Sequence, residues 1–144
     1  MKTILFACVH NAGRSQMAAA WFNALCDPKA ARAISAGTQP GDQVHREVIT
    51  AMKEAGIDLS SARPQLLTEE LARSADLLVT MGCEETCPVV PGLEREDWPL
   101  ADPQGQSLEA VRAIRDEIRR RVTAMLAERG WGAQVTSSQW FRVY

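Results

Sequence analysis

A cysteine and an arginine with five residues between them are the strongest sign of chemistry in this sequence. Cys8 ends an apolar run and Arg14 begins a stretch with helical periodicity, so the two residues bracket a short loop. A loop of this kind can turn its backbone N–H groups inward, and the helix that follows adds the positive end of its dipole. A tetrahedral oxyanion fits such a site, and the guanidinium of Arg14 can bind two of its oxygens. We therefore predict an anion-binding loop formed by Val9, His10, Asn11, Ala12, Gly13, Arg14 and Ser15.

The same loop favours the thiolate form of Cys8, which makes this residue the predicted nucleophile. Inward N–H groups and a helix N-terminus stabilise negative charge on sulfur, and the Ser15 hydroxyl can add a hydrogen bond. Asn11 tolerates a positive φ, and Gly13 can adopt backbone conformations that are closed to most residues. No histidine base is needed, so His10 either shapes the loop or is simply exposed. The alternative is a buried structural cysteine followed by an arginine by chance.

The elements that would position this loop alternate between strands and helices. Apolar runs predict four strands, at residues 3–9, 31–36, 76–81 and 98–100. Helical spacing predicts helices at residues 14–25, 44–52, 68–74 and 107–130. The last helix begins at the N-cap residue Ser107 and ends at Gly130, and we expect its arginine-rich face to be solvated. Strands that alternate with helices form a parallel sheet, so the predicted fold class is α/β.

Length and composition are those of one compact domain. The chain has 144 residues, of which 46% are hydrophobic and 24% charged, and its net charge is -2. A balanced charge does not suit nonspecific binding to nucleic acid or to an anionic membrane surface, and no apolar run reaches the roughly 20 residues of a membrane span. We predict one domain at residues 1–130 and a tail of uncertain structure at residues 131–144. We also expect a cytoplasmic protein and a monomer.

Residues 8–18, with the sequence CVHNAGRSQMA, resemble the signature loop of the low-molecular-weight protein tyrosine phosphatase superfamily, in the form found among its arsenate reductases. The resemblance continues through residues 35–37, residues 79–83, Trp98 and the pair Asp102-Pro103. It implies a single-domain, three-layer α/β sandwich. Its four-stranded parallel sheet would have the strand order 2-1-3-4.

Three further residues receive roles through this resemblance. Asp102 corresponds to the mobile-loop acid, which protonates the leaving oxygen while Cys8 attacks from the other side. Cys83 follows the third strand as Cys8 follows the first, and neighbouring strands lie about 4.8 Å apart, so a small movement could bring the two sulfurs together. Cys87 is then placed to resolve that disulfide. Two ordinary thiols or half of a zinc site are the alternatives for this pair, and Cys26 is predicted to be packed rather than catalytic.

The function that the resemblance implies is the reduction of arsenate to arsenite. Cys8 would attack arsenate, a Cys8–Cys83 disulfide would form and rearrange to Cys83–Cys87, and thioredoxin would reduce it, with no bound cofactor. One alternative is a phosphatase for aryl phosphates, although the only tyrosine, Tyr144, is not beside Asp102 in the sequence. A second is a reductase recycled by a low-molecular-weight thiol and a glutaredoxin-like partner. A third is an oxyanion-binding redox sensor.

We expect no metal ion beside the loop. Some members of the superfamily bind potassium there through an acidic residue on the first helix, but Ala19 stands at that position here. Arg63 and Gln65 stand at the later positions. Asn11 and Ser35 are expected to hydrogen-bond to each other or to water instead.

Overall fold

The structure is a computed structural model, and it describes residues 1–82 and 90–133. The strands in this part of the chain are β1 (Lys2–Cys8), β2 (Ala31–Gly37), β3 (Leu77–Thr80) and β4 (Glu94–Asp97). The helices are α1 (Arg14–Leu25), α2 (Arg46–Glu54), α3 (Glu69–Arg73) and α4 (Leu108–Arg129). The elements follow one another in the predicted order, and all of them except β4 lie within a few residues of their predicted places.

The strands form one parallel sheet in the order β2-β1-β3-β4, which confirms the predicted topology. Cys8 pairs in register with Gly37, and Ala7 pairs with Thr80. The carboxyl ends of β1, β2 and β3 therefore lie at one edge of the sheet. The loops that follow these strands meet there, and this is the edge at which α/β sheets bind ligands.

Strand β1 is buried on both faces, which explains its uninterrupted apolar sequence. Ile4 and Phe6 belong to a large core cluster that includes residues of α1, α2 and α4. Leu5 and Ala7 belong to a smaller cluster, to which α3 contributes Ala72. Helices thus cover both faces of the sheet, and the predicted three-layer sandwich is confirmed.

The fourth strand does not lie at residues 98–100, where the sequence predicted it. It is Glu94–Asp97, an edge strand of four charged residues, and Pro99 lies just beyond its end. The prediction was wrong because an exposed edge strand needs no apolar alternation, and charged side chains there prevent pairing with other chains. Trp98 is buried after the strand, with its ring centroid 5.6 Å from that of Phe6.

Helix α4 has the predicted ends, but its arginine face is not simply solvated. The Ser107 hydroxyl accepts a hydrogen bond from Ala110 N, and Gly130 ends the helix in the left-handed conformation. Arg112 donates to both carboxylate oxygens of Glu54 in α2, at 2.8 and 2.6 Å. The long arginine side chain reaches across to the neighbouring helix. Like the other helices within residues 1–82 and 90–133, α4 lacks the apolar length that crossing a membrane requires.

The first residues of the predicted tail pack on the domain. The ring centroid of Trp131 lies 6.2 Å from that of Phe22 in α1. The carbonyl oxygen of Trp131 also accepts a hydrogen bond of 2.7 Å from Asp27 N. Residues 134–144 lie outside the described residues.

Candidate active site

The loop after β1 is held against the loop after β2. Four of its carbonyl oxygens accept hydrogen bonds of 2.8–3.2 Å from backbone N–H groups at residues 38–45, namely those of Cys8, Val9, His10 and Ala12. The N–H of Asn11 points the other way, to the sulfur of Cys8 at 3.3 Å. These carbonyls are thus turned away from the sulfur while a backbone N–H faces it, as an anion-binding loop requires.

Cys8 lies at the floor of this loop and is only 2% exposed. Its Sγ is 2.9 Å from Ser15 Oγ, so the predicted contact with that hydroxyl is confirmed. Ser15 is fully buried, and its Oγ accepts a hydrogen bond of 2.7 Å from Asn11 Nδ2. The Ser15 hydroxyl and the Asn11 N–H can therefore both donate to a Cys8 thiolate and stabilise it.

Two glycines let other segments approach the loop closely. Gly13 has a φ of -144°, and a Cβ there would lie 2.5 Å from Cγ of Pro103. At Gly37, a Cβ would lie 2.6 Å from the Val9 carbonyl oxygen and 2.9 Å from Asn11 N. Both positions need glycine for space. The left-handed backbone is found instead at Asn11, whose φ of 50° agrees with the prediction for that residue.

Arg14 begins α1 and joins the loop to two other segments. Its side chain is buried, Nη1 donates to the Leu100 carbonyl oxygen at 3.0 Å, and Nη2 lies 3.8 Å from Oδ2 of Asp102. The guanidinium also lies across Gly82, where φ is +97° and where a Cβ would overlap Nη1. Arg14 therefore contacts both the predicted acid loop and the residue that precedes Cys83.

Asp102 is the most exposed of the predicted catalytic residues that the structure describes, with 45% of its side chain accessible. Its Oδ1 accepts a hydrogen bond from Gln104 N at 2.9 Å, and Pro103 beside it is buried against Gly13. The structure thus brings the predicted nucleophile, the predicted anion ligand and the predicted acid to the same edge of the sheet.

A groove of about 270 Å³ opens beside the loop. Its walls include the polar side chains of His10, Asp42, Gln43, His45 and Gln104, and no tyrosine or tryptophan among the described residues. His10 Nδ1 lies 3.1 Å from the Gln39 carbonyl oxygen, which holds the ring against the neighbouring loop. Although the groove contains two histidines and an aspartate, no three side chains in the described part of the chain come together as metal ligands do.

Two of the four cysteines are in the described part of the chain. Cys83 and Cys87 lie outside it, within residues 83–89, and their roles stay predictions. Cys26 is buried, with Sγ 3.3 Å from the Ala31 carbonyl oxygen. Burial raises the pKa of the Cys26 thiol, which makes it a poor nucleophile near neutral pH. These observations agree with the packing role predicted for Cys26.

The sequence did not point to two glutamines that hold Asn11. Gln65 N donates to Asn11 Oδ1 at 2.9 Å, and Gln16 Nε2 donates to the same oxygen at 3.2 Å. The side chain of Gln65 donates to the Ser35 carbonyl oxygen at 2.8 Å, so Gln65 joins Asn11 and Ser35, in place of the direct hydrogen bond that was one of the two expectations. One feature of the sequence could have pointed to Gln16. It is a polar residue next to a mostly apolar stretch of α1 that was expected to be buried.

Comparison with known proteins gives consistent relatives. The family model for "Low molecular weight phosphotyrosine protein phosphatase" matches residues 3–136. A "Putative arsenate reductase" from Halobacterium salinarum is 39% identical over 127 residues, which cover 85% of this chain and 89% of the relative. "Arsenate reductase 2" from Staphylococcus saprophyticus is 36% identical over 124 residues, which cover 84% of this chain and 93% of the relative.

Solved structures agree with this relationship. The thioredoxin-dependent arsenate reductase of Corynebacterium glutamicum is 34% identical with a TM-score of 0.74, and the match covers 89% of this chain but only 61% of that protein. An arsenate reductase in its oxidized state is 34% identical with a TM-score of 0.78, covering 89% and 98% of the two chains. A tyrosine phosphatase from Erwinia amylovora shares the fold at 20% identity, with a TM-score of 0.77 and coverage of 88% and 92%. The chain therefore belongs to the low molecular weight phosphotyrosine protein phosphatase family.

Proposed function

We propose that this protein is an arsenate reductase in which Cys8 attacks arsenate and two further cysteines take up the oxidation. The main support is the position of Cys8, a buried sulfur with the Ser15 hydroxyl at 2.9 Å, in a loop whose Arg14 faces Asp102. Identities of 39% and 36% to proteins named arsenate reductases favour this substrate over other oxyanions that such a loop could bind.

The first step forms a bond between sulfur and arsenic. The loop N–H groups and the guanidinium of Arg14 hold arsenate, and Arg14 turns to the anion from the Leu100 carbonyl oxygen that it contacts in this structure. The Cys8 thiolate attacks As(V), and an As–O bond on the opposite side breaks. Asp102 gives its proton to the departing hydroxide, which leaves as water. The result is a Cys8–As(V) adduct.

The next steps move the oxidation from arsenic to sulfur. The Cys83 thiolate attacks Cys8 Sγ, the S–As bond breaks, and its electron pair stays on arsenic, which leaves as arsenite, As(III). Cys87 then attacks Cys83 in the Cys8–Cys83 disulfide, which releases the Cys8 thiolate and leaves a Cys83–Cys87 disulfide. Two electrons from thioredoxin reduce that disulfide. The thioredoxin-dependent relative from Corynebacterium glutamicum, at 34% identity, supports this choice of reductant.

The proposal includes a cytoplasmic monomer without a bound cofactor. A relay of thiols needs a compartment in which cysteines stay reduced, and the cytoplasm is such a compartment. The described groups that would bind and protonate arsenate, Arg14 and Asp102, come from the same chain as Cys8. One copy of the chain therefore suffices for the first step.

Arsenate-dependent oxidation of NADPH, coupled through thioredoxin and its reductase, tests the proposal. We expect turnover by the parent protein and none by Cys8→Ser, Cys83→Ser or Cys87→Ser. Cys26→Ala is the matched control, because it removes a buried thiol that takes no part in the relay. We expect this control to keep the parent turnover.

Three results would contradict parts of the proposal. Normal turnover by Cys8→Ser would exclude the reductase mechanism, and normal recycling of Cys87→Ser with thioredoxin would exclude the relay through three thiols. Hydrolysis of para-nitrophenyl phosphate without any arsenate turnover would favour the phosphatase alternative. The position of the only tyrosine, Tyr144, which is not beside Asp102 in the sequence, argues against that alternative.

A further inference from the structure

Gln16 is a buried polar residue to which the proposed mechanism gives no role. It lies in the first turn of α1 and is 7% exposed. Its Nε2 lies 3.1 Å from the backbone carbonyl oxygen of Asn11, 3.2 Å from Oδ1 of the same residue and 3.2 Å from the Arg63 carbonyl oxygen. Two of these atoms are backbone carbonyl oxygens, which only accept, so the nitrogen of the Gln16 amide must face them.

The partners of Asn11 fix the direction of each hydrogen bond that leads to Cys8. The backbone N–H of Gln65 can only donate, so the Asn11 atom that it contacts at 2.9 Å must be Oδ1. The other end of the amide is then Nδ2, which can only donate, and it contacts Ser15 Oγ at 2.7 Å. Ser15 Oγ accepts this bond, so its own proton is available to Cys8 Sγ at 2.9 Å. The orientation of the Asn11 amide therefore decides what the Ser15 hydroxyl offers the sulfur.

Gln16 supports this orientation at two points. The backbone of Asn11 is left-handed, with a φ of 50°, a conformation that is unfavourable for most residues with a side chain. The Gln16 amide holds the carbonyl oxygen of this left-handed residue. It also adds a second donor to Oδ1 and ties the whole group to the carbonyl oxygen of Arg63.

We propose that Gln16 is a positioning residue for the nucleophile, which acts through Asn11 and Ser15 to keep the Ser15 proton directed at the sulfur of Cys8. This inference rests on the proposed function only in taking Cys8 as the nucleophile. Without the Gln16 amide, Asn11 Oδ1 keeps the single donor from Gln65, and the left-handed turn loses a support. The Ser15 contact then loosens, and the thiolate of Cys8 loses part of its stabilisation.

Alkylation of Cys8 by iodoacetamide tests this inference without arsenate or thioredoxin. The rate is read on the Cys8 peptide by mass spectrometry, at a pH on the rising part of the parent's pH–rate profile, where the sulfur is only partly ionised. Gln16→Met keeps the size of the side chain and removes the amide, and we expect about three- to tenfold slower alkylation, as for a weakened hydrogen bond to a charged group. Gln16→Glu puts an oxygen in place of the nitrogen that faces three acceptors, so we expect a larger loss.

Asn23→Leu is the matched control for lost amide contacts on the same helix. The Asn23 amide donates to the Ala33 carbonyl oxygen at 3.0 Å and accepts from Ala33 N at 2.9 Å. The substitution removes these two hydrogen bonds, neither of which involves the loop around Cys8. We expect a lower thermal unfolding midpoint and an alkylation rate equal to that of the parent.

Measurement at high pH separates ionisation of the sulfur from access to it. At a pH high enough that the alkylation rates of both proteins no longer rise, the sulfur is fully ionised in both, so the rate of Gln16→Met should approach that of the parent. The ionisable groups already around the loop are unchanged in Gln16→Met, whereas Gln16→Glu adds a carboxyl group; they are Arg14, Asp102, His10, Asp42, His45 and Arg63. If Gln16→Met is still alkylated more slowly than the parent at high pH, the inference is overturned.

Two further outcomes decide the case. Equal alkylation of the parent and of both Gln16 variants on the rising part of the parent's pH–rate profile would overturn the inference, and if Gln16→Met does not fold, Gln16→Glu decides by the same measure. A parent protein that does not reduce arsenate would refute the proposed function. Slower alkylation of the Gln16 variants would still support the role of Gln16 in that case.

Discussion

The loop after β1 and the loop after β4 meet at one edge of the sheet but are held in opposite ways. Around the nucleophile, Cys8, Asn11 and Ser15 are at most 2% exposed and are joined to each other by hydrogen bonds. In the other loop, the carboxylate of Asp102 is 45% exposed, and the contacts with Arg14 are among the few that hold it. These contacts predict a rigid loop around Cys8 and a more lightly attached, movable loop around Asp102.

The difference fits the role that the proposed mechanism gives to each loop. A sulfur that must stay ionised needs donors in fixed positions, and a buried hydrogen-bonded loop provides them. An acid that must reach a leaving group and then let the product go needs a segment that can move. Arg14 connects the two, because the guanidinium that would bind the anion also donates to the Leu100 carbonyl oxygen in the acid loop.

The largest effect is expected when the acid is removed and the rigid loop is left intact. Asp102→Asn should lower kcat for arsenate about 100-fold, or about 2.7 kcal/mol, within the usual range for general acid catalysis. Alkylation of Cys8 should stay at the parent rate, because no hydrogen bond to the sulfur changes. Asp116→Asn, which removes a carboxylate paired with Arg115 on α4, is the control and should leave kcat unchanged. A loss of less than threefold in Asp102→Asn would remove Asp102 from the chemistry.

The next effect comes from filling the space against the rigid loop. In Gly37→Ala, the new Cβ would meet Val9 O at 2.6 Å and Asn11 N at 2.9 Å, and both are backbone atoms that cannot turn aside. We expect a loss of about 2 kcal/mol in the free energy of unfolding, typical of overpacking, together with slower alkylation of Cys8. Denaturant unfolding and the alkylation assay measure the two effects. If the variant is as stable as the parent and its Cys8 is alkylated at the parent rate, the loop around Cys8 is more easily displaced than its contacts indicate.

Gly13→Ala places the same methyl group against the movable loop. Its Cβ would meet the Pro103 ring, with Cγ at 2.5 Å, and this ring belongs to the loop that we expect to move. We expect a smaller loss in the free energy of unfolding, about 1 kcal/mol, because the acid loop gives way. With the acid displaced, kcat should fall about five- to tenfold while the Cys8 alkylation rate changes less than in Gly37→Ala. The opposite pattern in the two alanine variants would reverse the assignment of rigid and movable loops.

The parts of the fold that follow local rules could be predicted from the sequence. The continuous apolar run of β1 indicated a strand buried on both faces, and Ser107 and Gly130 marked the ends of α4. Strand β4 was misplaced because its register is set by pairing with β3, while its own residues, Glu94–Asp97, are charged and exposed. An edge strand of this kind has no apolar signal of its own.

The contacts in the candidate site also fall into two groups, those that a local pattern predicted and those that it did not. The spacing from Cys8 to Ser15 predicted their contact, because both residues belong to one loop and the helix turn after it. The contacts of Arg14 with Leu100 and of Gly13 with Pro103 join residues that are 86 and 90 positions apart. Such contacts depend on which segments the sheet order brings together, and no local pattern in one sequence records them.

The strand that leads into the acid loop has its own attachment to α4. Glu94 and Glu96 of β4 both bind Arg129 in the last turn of that helix, and the Glu96 carboxylate lies 2.8 Å from Nη2. The hydrogen bond from Arg129 lowers the pKa of Glu94 below its ordinary value of 4.5. Both partners are partly exposed, so solvent and salt weaken the pair, and it should contribute little.

Glu94→Gln therefore gives the smallest expected effect. The pKa of the Glu94 carboxyl is lower in the folded state than its ordinary value of 4.5. The ionised carboxylate therefore stabilises the folded state at pH values above 4.5, and this stabilisation is lost as the pH falls through the pKa of the folded state. The thermal midpoint of Glu94→Gln should lie slightly below that of the parent near neutral pH, and the two should converge in acid. Cys8 should alkylate at the parent rate throughout, because the change lies on the attachment of the movable loop. A gap between the midpoints that widens in acid would show that the ion pair with Arg129 does not account for the lowered pKa.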